Sequence, residues 1–432
     1  MKNTFFILSF LLFTLVAYSQ FSLEALSPLP EPLTNGAIEY ARVNGEDFIY
    51  VWGSLDSTRS AEGIHQRGYR LNVGENIWTP LPDLPDTSGK LALSASRIGD
   101  IIYIVGGYLV LPDDYELSSN KVHRFSASQN EFLTDANPIP VAIDDQVQVI
   151  YRDSFIYVIT GWSNTGNVGN VQLFNPLTNN WTAATPVPVT GGFRAFGASG
   201  CIIGDTIYYF GGASSSGINF PSTGKLCKGF INPENPLDIS WESSIPDASL
   251  KRYRSACIVA GNFPHWVGGS SVSYNYDGIA YNGSGAVNPE ENILKWNLTA
   301  FEEIALPGLP MDIRAIARMN DSTWVIAGGL VAGPQVSDQV WKLSYSNPAG
   351  IGKIEPRVKL YPVPVDEVLK LEGVKLIDSW SILDNSLKEV MTGFSEQSSS
   401  LELYLGDLCR GIYWLRLHHP TGESTFKMFS KQ

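Results

Sequence analysis

The chain has 432 residues, with 43 acidic against 30 basic side chains and a formal net charge of −13. Hydrophobic residues make up 44% and charged residues 17%, which excludes a disordered polar chain and a highly charged coiled coil. The acidic balance disfavours nucleic acid and anionic membranes as partners, and 40 glycines, 26 prolines and 12% aromatic residues point to short strands and tight turns, not helical bundles.

Residues 1–19 read as a secretory signal peptide. Lys2 supplies a small positive start, and Phe5 to Val16 is an apolar run, shorter than the roughly twenty residues that span a bilayer. Ala17-Tyr18-Ser19 fits a small-x-small cleavage site, so Gln20 is the expected mature N-terminus. No later stretch is long and apolar enough to span. The mature chain is therefore expected to be exported and soluble, without a transmembrane segment.

From there the chain repeats itself. Six β-rich runs end in glycine: Ile49 to Gly53, Ile102 to Gly107, Ile156 to Gly161, Tyr208 to Gly212, His265 to Gly269 and Trp324 to Gly329. The matching glycines recur every 51–60 residues. A short turn such as Gly45-Glu46-Asp47 or Gly204-Asp205 precedes each run. A variable loop and another strand follow, and then often a Trp with prolines, as in Trp78-Thr79-Pro80 and Trp241 to Pro246. A fixed period of this length marks a repeat architecture.

The glycine pair, the aromatic strand before it and the later Trp resemble the kelch repeat, whose unit is a four-stranded propeller blade. The resemblance implies an all-β, six-bladed kelch β-propeller over residues 20–346. Gly53-Ser54 and Thr160-Gly161 keep one glycine of the pair. The sixth repeat ends at Val340-Trp341-Lys342-Leu343 without a fourth strand. Phe21 to Pro30 reads like that missing strand, so the ring is expected to close by pairing the two chain ends, which also covers an open sheet edge.

Residues 347–356 read as a linker, and 357–432 as a small separate β unit. Its order of motifs resembles the C-terminal sorting domain of type IX secretion substrates: Leu360 to Val365, then Gly411-Ile412-Tyr413, then a last strand with Lys427 and Lys431. Val363 stands where that family usually has Asn. The resemblance implies type IX secretion machinery as a partner, passage through the periplasm, and a secreted or cell-surface destination.

Function in such a scaffold lies in its loops. The loops between second and third strands are long and share a face with the inter-blade links, so that face is the expected binding surface. Its richest segment is Ser271 to Gly283, where Tyr274, Tyr276, Asp277, Tyr281 and Asn282 combine stacking faces with hydrogen-bonding groups suited to a glycan. The alternative is a tyrosine-rich hairpin packed on its own blade. Asp144, Asp145, Arg194, Arg252, Arg254 and Arg314 belong to the links near the channel mouth. They suit either a carboxylate ligand or ion pairs between blades.

Catalytic readings find less support. Copper oxidases resembling galactose oxidase need two tyrosines, two histidines and a cysteine. Here His65, His123 and His265 are scattered, with His123 inside a third strand, so no metal and no cofactor is expected. A propeller sugar mutarotase or epimerase needs an axial acid–base pair, for which Asp145 or Glu39 beside an arginine is a candidate. His418-His419 reads as a solvated pair. Cys201, Cys227, Cys257 and Cys409 show no metal-ligand rhythm and are expected to be buried free thiols. The expected protein is a monomeric binding module for a glycan or an extracellular protein.

Overall fold

The computed structural model describes residues 20–346 except 113–114 and 216–218, and residues 359–432 except 373–376, 378, 385–387, 395–399 and 419–423. The expected signal peptide, the linker and His419 lie outside the described residues. Two compact units emerge, Met1–Pro348 and Ala349–Gln432.

The first unit holds six antiparallel sheets of at least four strands among its described residues. In chain order their first strands are Ala37–Val43, Leu91–Ile98, Val147–Tyr151, Phe196–Ile203, Ala256–Ala260 and Ala317–Asn320. Each begins a meander through second, third and fourth strands. Tight hairpins make this possible. Asn44-Gly45 and Gly261-Asn262 both place two successive residues at positive φ, the backbone that matches the twist of paired strands. The first strands lie innermost and flank one axial cavity of about 310 Å3, lined by Glu39, Ser94, Gln146, Ser199, Cys257 and Arg314, among others.

The sixth sheet combines residues from opposite ends of the unit. Phe21–Leu26 pairs antiparallel with Val340–Tyr345, from Phe21 opposite Tyr345 to Leu26 opposite Val340. Phe21 is buried, its ring 5.3 Å from that of His265 and 5.0 Å from that of Tyr345. The pairing expected from the sequence is thus present.

The glycine pairs have a common physical cause. In four sheets the N–H of the second glycine donates to a carbonyl in the link entering the next sheet: Gly107 to Ile143, Gly212 to Arg252, Gly269 to Pro310 and Gly329 to Leu33. The preceding glycine abuts the same carbonyl so closely that a Cβ on Gly106 or Gly328 would lie 2.3 or 2.0 Å from the oxygen. Only glycine permits both the positive φ and that approach. The fourth-strand tryptophans act farther out. Trp78, Trp181 and Trp241 donate their indole N–H to the carbonyls of Ser27, Asn137 and Thr185, in the links entering their own sheets.

Between the first two sheets lies a buried charge network. Asp86 accepts from Lys90 (2.7 Å), Lys121 (2.6 Å) and the His123 Nε2 (2.7 Å), while His123 Nδ1 meets Asp135 at 2.9 Å. Burial opposes ionisation of Asp86, but His123 and the two lysines outweigh it and hold its carboxyl below the usual range. His123 is thus fixed in a third strand away from the axis.

The second unit packs a three-stranded sheet (Lys359–Tyr361, Val368–Glu372, Ser400–Tyr404) and a four-stranded one (Ser379–Leu383, Glu389–Phe394, Gly411–His418, Ser424–Lys431). Leu369, Leu371, Leu403, Leu415, Leu417 and Phe429 form its core. All four cysteines are free. Cys201 and Cys227 are buried and Cys257 partly so, but Cys409 is exposed, against expectation, because its turn lies outside that core.

Candidate functional site at the channel mouth

Six equivalent link positions define the mouth: Asn35, Ala92, Asp145, Gly197, Arg254 and Asp312, all with left-handed φ between 47° and 67°. Backbone hydrogen bonds join them in sequence. Ala92 N donates to Asn35 O, Asp145 N to Ala92 O, Gly197 N to Asp145 O and Arg254 N to Gly197 O. Ile313 N then donates to Arg254 O, and Asn35 N to Asp312 O at 3.3 Å closes the circle.

The side chains on this ring pair with one another. Arg254, fully buried, donates Nε and Nη2 to the two oxygens of Asp145 (3.1 and 2.7 Å) and Nη1 to Asp312 (3.1 Å). Arg314 Nη1 also lies 3.1 Å from Asp145. Gly197 leaves the space between, since a Cβ there would meet the Tyr253 ring at 2.4 Å. Burial pushes the Asp145 carboxyl up, but Arg254 and Arg314 outweigh it and hold it below its usual value. Burial wins at Asp312, which stays raised despite Arg254 and the Thr34 hydroxyl. Arg194 and Arg252 do not join this cluster. Arg252 is buried against Asn292 and the carbonyl of Lys251, and Arg194 lies against Gly169.

The tyrosine-bearing loop crosses the mouth instead of folding back on its own sheet. Tyr274 is fully buried, its ring 5.1 Å from that of Tyr253 and its hydroxyl 3.4 Å from Asp312. Tyr276 is half-buried against Leu55, Leu91, Ala92 and Tyr108. Asp277 is held through its carbonyl by Arg59 (2.9 Å), and Gly278 abuts Pro334 of the last repeat. Asn282 is exposed, and its side chain accepts from the amide of Ser284.

Tyr281 belongs to a cavity beside the hub, about 110 Å3 in volume. Its walls are Tyr108, Trp162, Phe196, Phe220 and Tyr281, and its polar groups are Glu116, Asp144, Asp145, Arg254 and Asn275. Phe196, Asp144, Asp145 and Arg254 are buried at its floor, while Glu116, Asn275 and Tyr281 are half-buried at its rim. The rings meet edge to face: Trp162 with Phe196 at 5.4 Å, Trp162 with Phe220 at 5.5 Å and Phe220 with Tyr281 at 5.0 Å.

No family model matches the chain. Kelch domain-containing protein 3 of Bos taurus is 25% identical over 246 residues, covering 53% of this chain and 59% of that protein. Kelch-like protein 36 of Mus musculus is 22% identical over 225 residues, covering 52% and 34%. The chain therefore spans 34–59% of the length of these curated relatives. The solved structure of YjhT superposes with a TM-score of 0.60 at 16% identity, over 75% of this chain and 98% of that one. The fold is a kelch β-propeller.

In propeller terms, the cavity sits on the face shared by inter-blade links and second-to-third-strand loops, where the sequence directed attention. The residues that wall it are mostly others. Tyr108 and Trp162 each directly follow a repeat glycine, a signal the periodicity offered. Phe196, Phe220 and Glu116 carry no such mark. Deeper in the channel, burial raises Glu39 to about 7, although the amides of Tyr40 and Arg97 donate to its carboxylate. Among the described residues, no three His, Cys, Asp or Glu side chains cluster to hold a metal ion, and no helix is long and apolar enough to cross a membrane.

Proposed function

We propose that the chain is a six-bladed propeller serving as an extracellular binding module, with the loop face around the mouth as its ligand surface. The carrying observation is the division of labour at that mouth. Arg254, Arg314, Asp145 and Asp312 form ion pairs with one another and brace the blades, while an aromatic cavity beside them keeps a half-buried rim. Tyr281 stands at the rim, and it meets ligand together with Tyr276, Asp277 and Asn282 of the same loop. Tyr274 and the four link arginines support it. Likeness to kelch proteins favours a protein ligand over a glycan. Residues 1–19 direct export, and 357–432 act as the type IX sorting unit.

The mature chain from Gln20 onward, screened against extracellular proteins and a glycan array, should retain a specific ligand, and Tyr281→Ala should weaken it while leaving the melting temperature nearly unchanged. Retention of nothing from either screen removes the binding reading. Removal of residues 354–432 should trap the protein in the periplasm of a host with type IX machinery; unchanged release removes the sorting assignment. The sugar mutarotase or epimerase alternative has one observation in its favour, the raised carboxyl of Glu39 in the polar channel. Accelerated anomer exchange of reducing sugars, abolished by Glu39→Gln, would establish it.

A further inference from the structure

The charges around the 110 Å3 cavity do not balance. Arg254 and Arg314 are matched by Asp145 and Asp312. That leaves Glu116 and Asp144 with no ion pair of their own among the described residues, and only the more distant Arg254 guanidinium favours their charged forms. Asp144 is 3% exposed. Its Oδ2 accepts the Ser118 hydroxyl at 2.6 Å, and its Oδ1 has no hydrogen bond among the described residues. Glu116 makes no side-chain hydrogen bond or ion pair among them either. Burial raises both carboxyls, and the neighbouring charge of Asp145 adds to the effect at Asp144.

Two carboxyls without an ion pair among the described residues, set among five aromatic rings, are disfavoured as anions until a cation arrives to pair with them. Ring faces attract cations, more strongly when desolvated, and a buried charge is tolerated when it is paired. Resting on the binding-module reading, we propose that this cavity receives the cationic end of a lysine or arginine side chain from a protein partner, clamped by Glu116 and Asp144 and flanked by Trp162, Phe220 and Tyr281. A protein source of the cation follows from the likeness to kelch proteins, and the slender end of an aminoalkyl or guanidinium side chain fits a cavity of about 110 Å3. The net charge of −13 also steers a basic surface toward the chain.

The test titrates the mature full-length chain by calorimetry with N-acetyl-lysine amide, N-acetyl-arginine amide, Nε-acetyl-lysine amide and glucosamine. Saturable binding of the lysine or arginine probe is expected, with none for the acetylated probe. Glu116→Gln with Asp144→Asn should weaken that binding at least tenfold, and thermal melting should show the variant folded. Should the pair fail to fold, Glu116→Gln alone, at the half-buried rim, should weaken it at least threefold. No binding of either cation, binding indifferent to the carboxamide changes, or glucosamine binding as tightly as lysine overturns the proposal. A protein ligand captured equally well by wild type and the Glu116→Gln, Asp144→Asn variant overturns the cation assignment alone and leaves the binding-module reading in place.

Discussion

Replacing Arg254 with methionine keeps an unbranched apolar stem and removes the guanidinium. Three charge-assisted hydrogen bonds disappear, two to Asp145 and one to Asp312. Asp145 retains Arg314 at 3.1 Å, but Asp312 is left with Thr34 at 2.8 Å and Tyr274 at 3.4 Å, neither of them cationic. Both carboxylates remain buried, and breaking a buried pair by removing one partner costs about 3–5 kcal/mol. The unit exceeds 300 residues, so the lower conversion of about 2 °C per kcal/mol applies, and the melting temperature should fall by about 6–10 °C at pH 7. The deficit should shrink toward pH 4. Asp312 is already raised by burial, so once orphaned it takes up a proton first and the penalty of an unpaired charge vanishes. Scanning calorimetry of wild type, Arg254→Met, Asp312→Asn and the double variant gives the coupling directly, expected at about 0.5–3 kcal/mol. Additive single effects, or an Arg254→Met melting temperature within 2 °C of wild type at every pH, would refute the claim that this hub braces the blades.

Phe21→Ala should destabilise the propeller by about 3–5 kcal/mol, because the ring fills a buried site between His265 and Tyr345; a loss under 1 kcal/mol by denaturant titration would mean the closing strand adds little. Glu39 has a folded pKa near 7 against 4.5 unfolded. The folded state therefore holds the proton longer, and stability should decline by up to about 3 kcal/mol as pH rises from 4.5 to 7. Glu39→Gln should flatten that decline whatever its absolute stability, and an unchanged slope counts against the assignment. In the first network, Asp86→Ala should cost far more than Lys90→Met. The former strands the buried Lys90 ammonium beside Ser119 at 3.4 Å, whereas the latter leaves Asp86 with Lys121 and His123. Equal melting temperatures for the two variants would contradict this.

Repeat glycines were readable because each answers a local steric demand that recurs every 51–60 residues. The pairing of Phe21–Leu26 with Val340–Tyr345 was readable for a related reason, since one repeat lacked a strand and the other end of the chain supplied it. The site was only half legible. Position within the repeat led to Asp145, Arg254 and Arg314 as residues of the mouth. Which of them pair was hidden, because Arg254 lies 109 residues from Asp145 and 58 from Asp312. The tyrosine loop could be read from its composition either as ligand-facing or as a hairpin packed on its own blade. Its burial depends on meeting Arg59, Leu91 and Pro334 from three other repeats, which no local pattern encodes. Trp162 and Phe196 were passed over for the converse reason, since a ring at a strand end reads as core until a cavity opens beside it, and Phe220 lies in a loop with no repeat mark.

The closing strand also carries a kinetic consequence. Phe21–Leu26 is made early, and its partner Val340–Tyr345 some three hundred residues later. Until the two strands meet, an amphipathic segment and an unpaired edge of the last sheet coexist in one chain, each complementary to the other and indifferent to which copy provides it. Such an arrangement favours exchange of the segment between two copies when refolding is concentrated. Intramolecular closure wins in dilute solution, so the yield of monomer on refolding should rise with dilution. The same exchange would build closed dimers in which each ring is completed by the other's first strand.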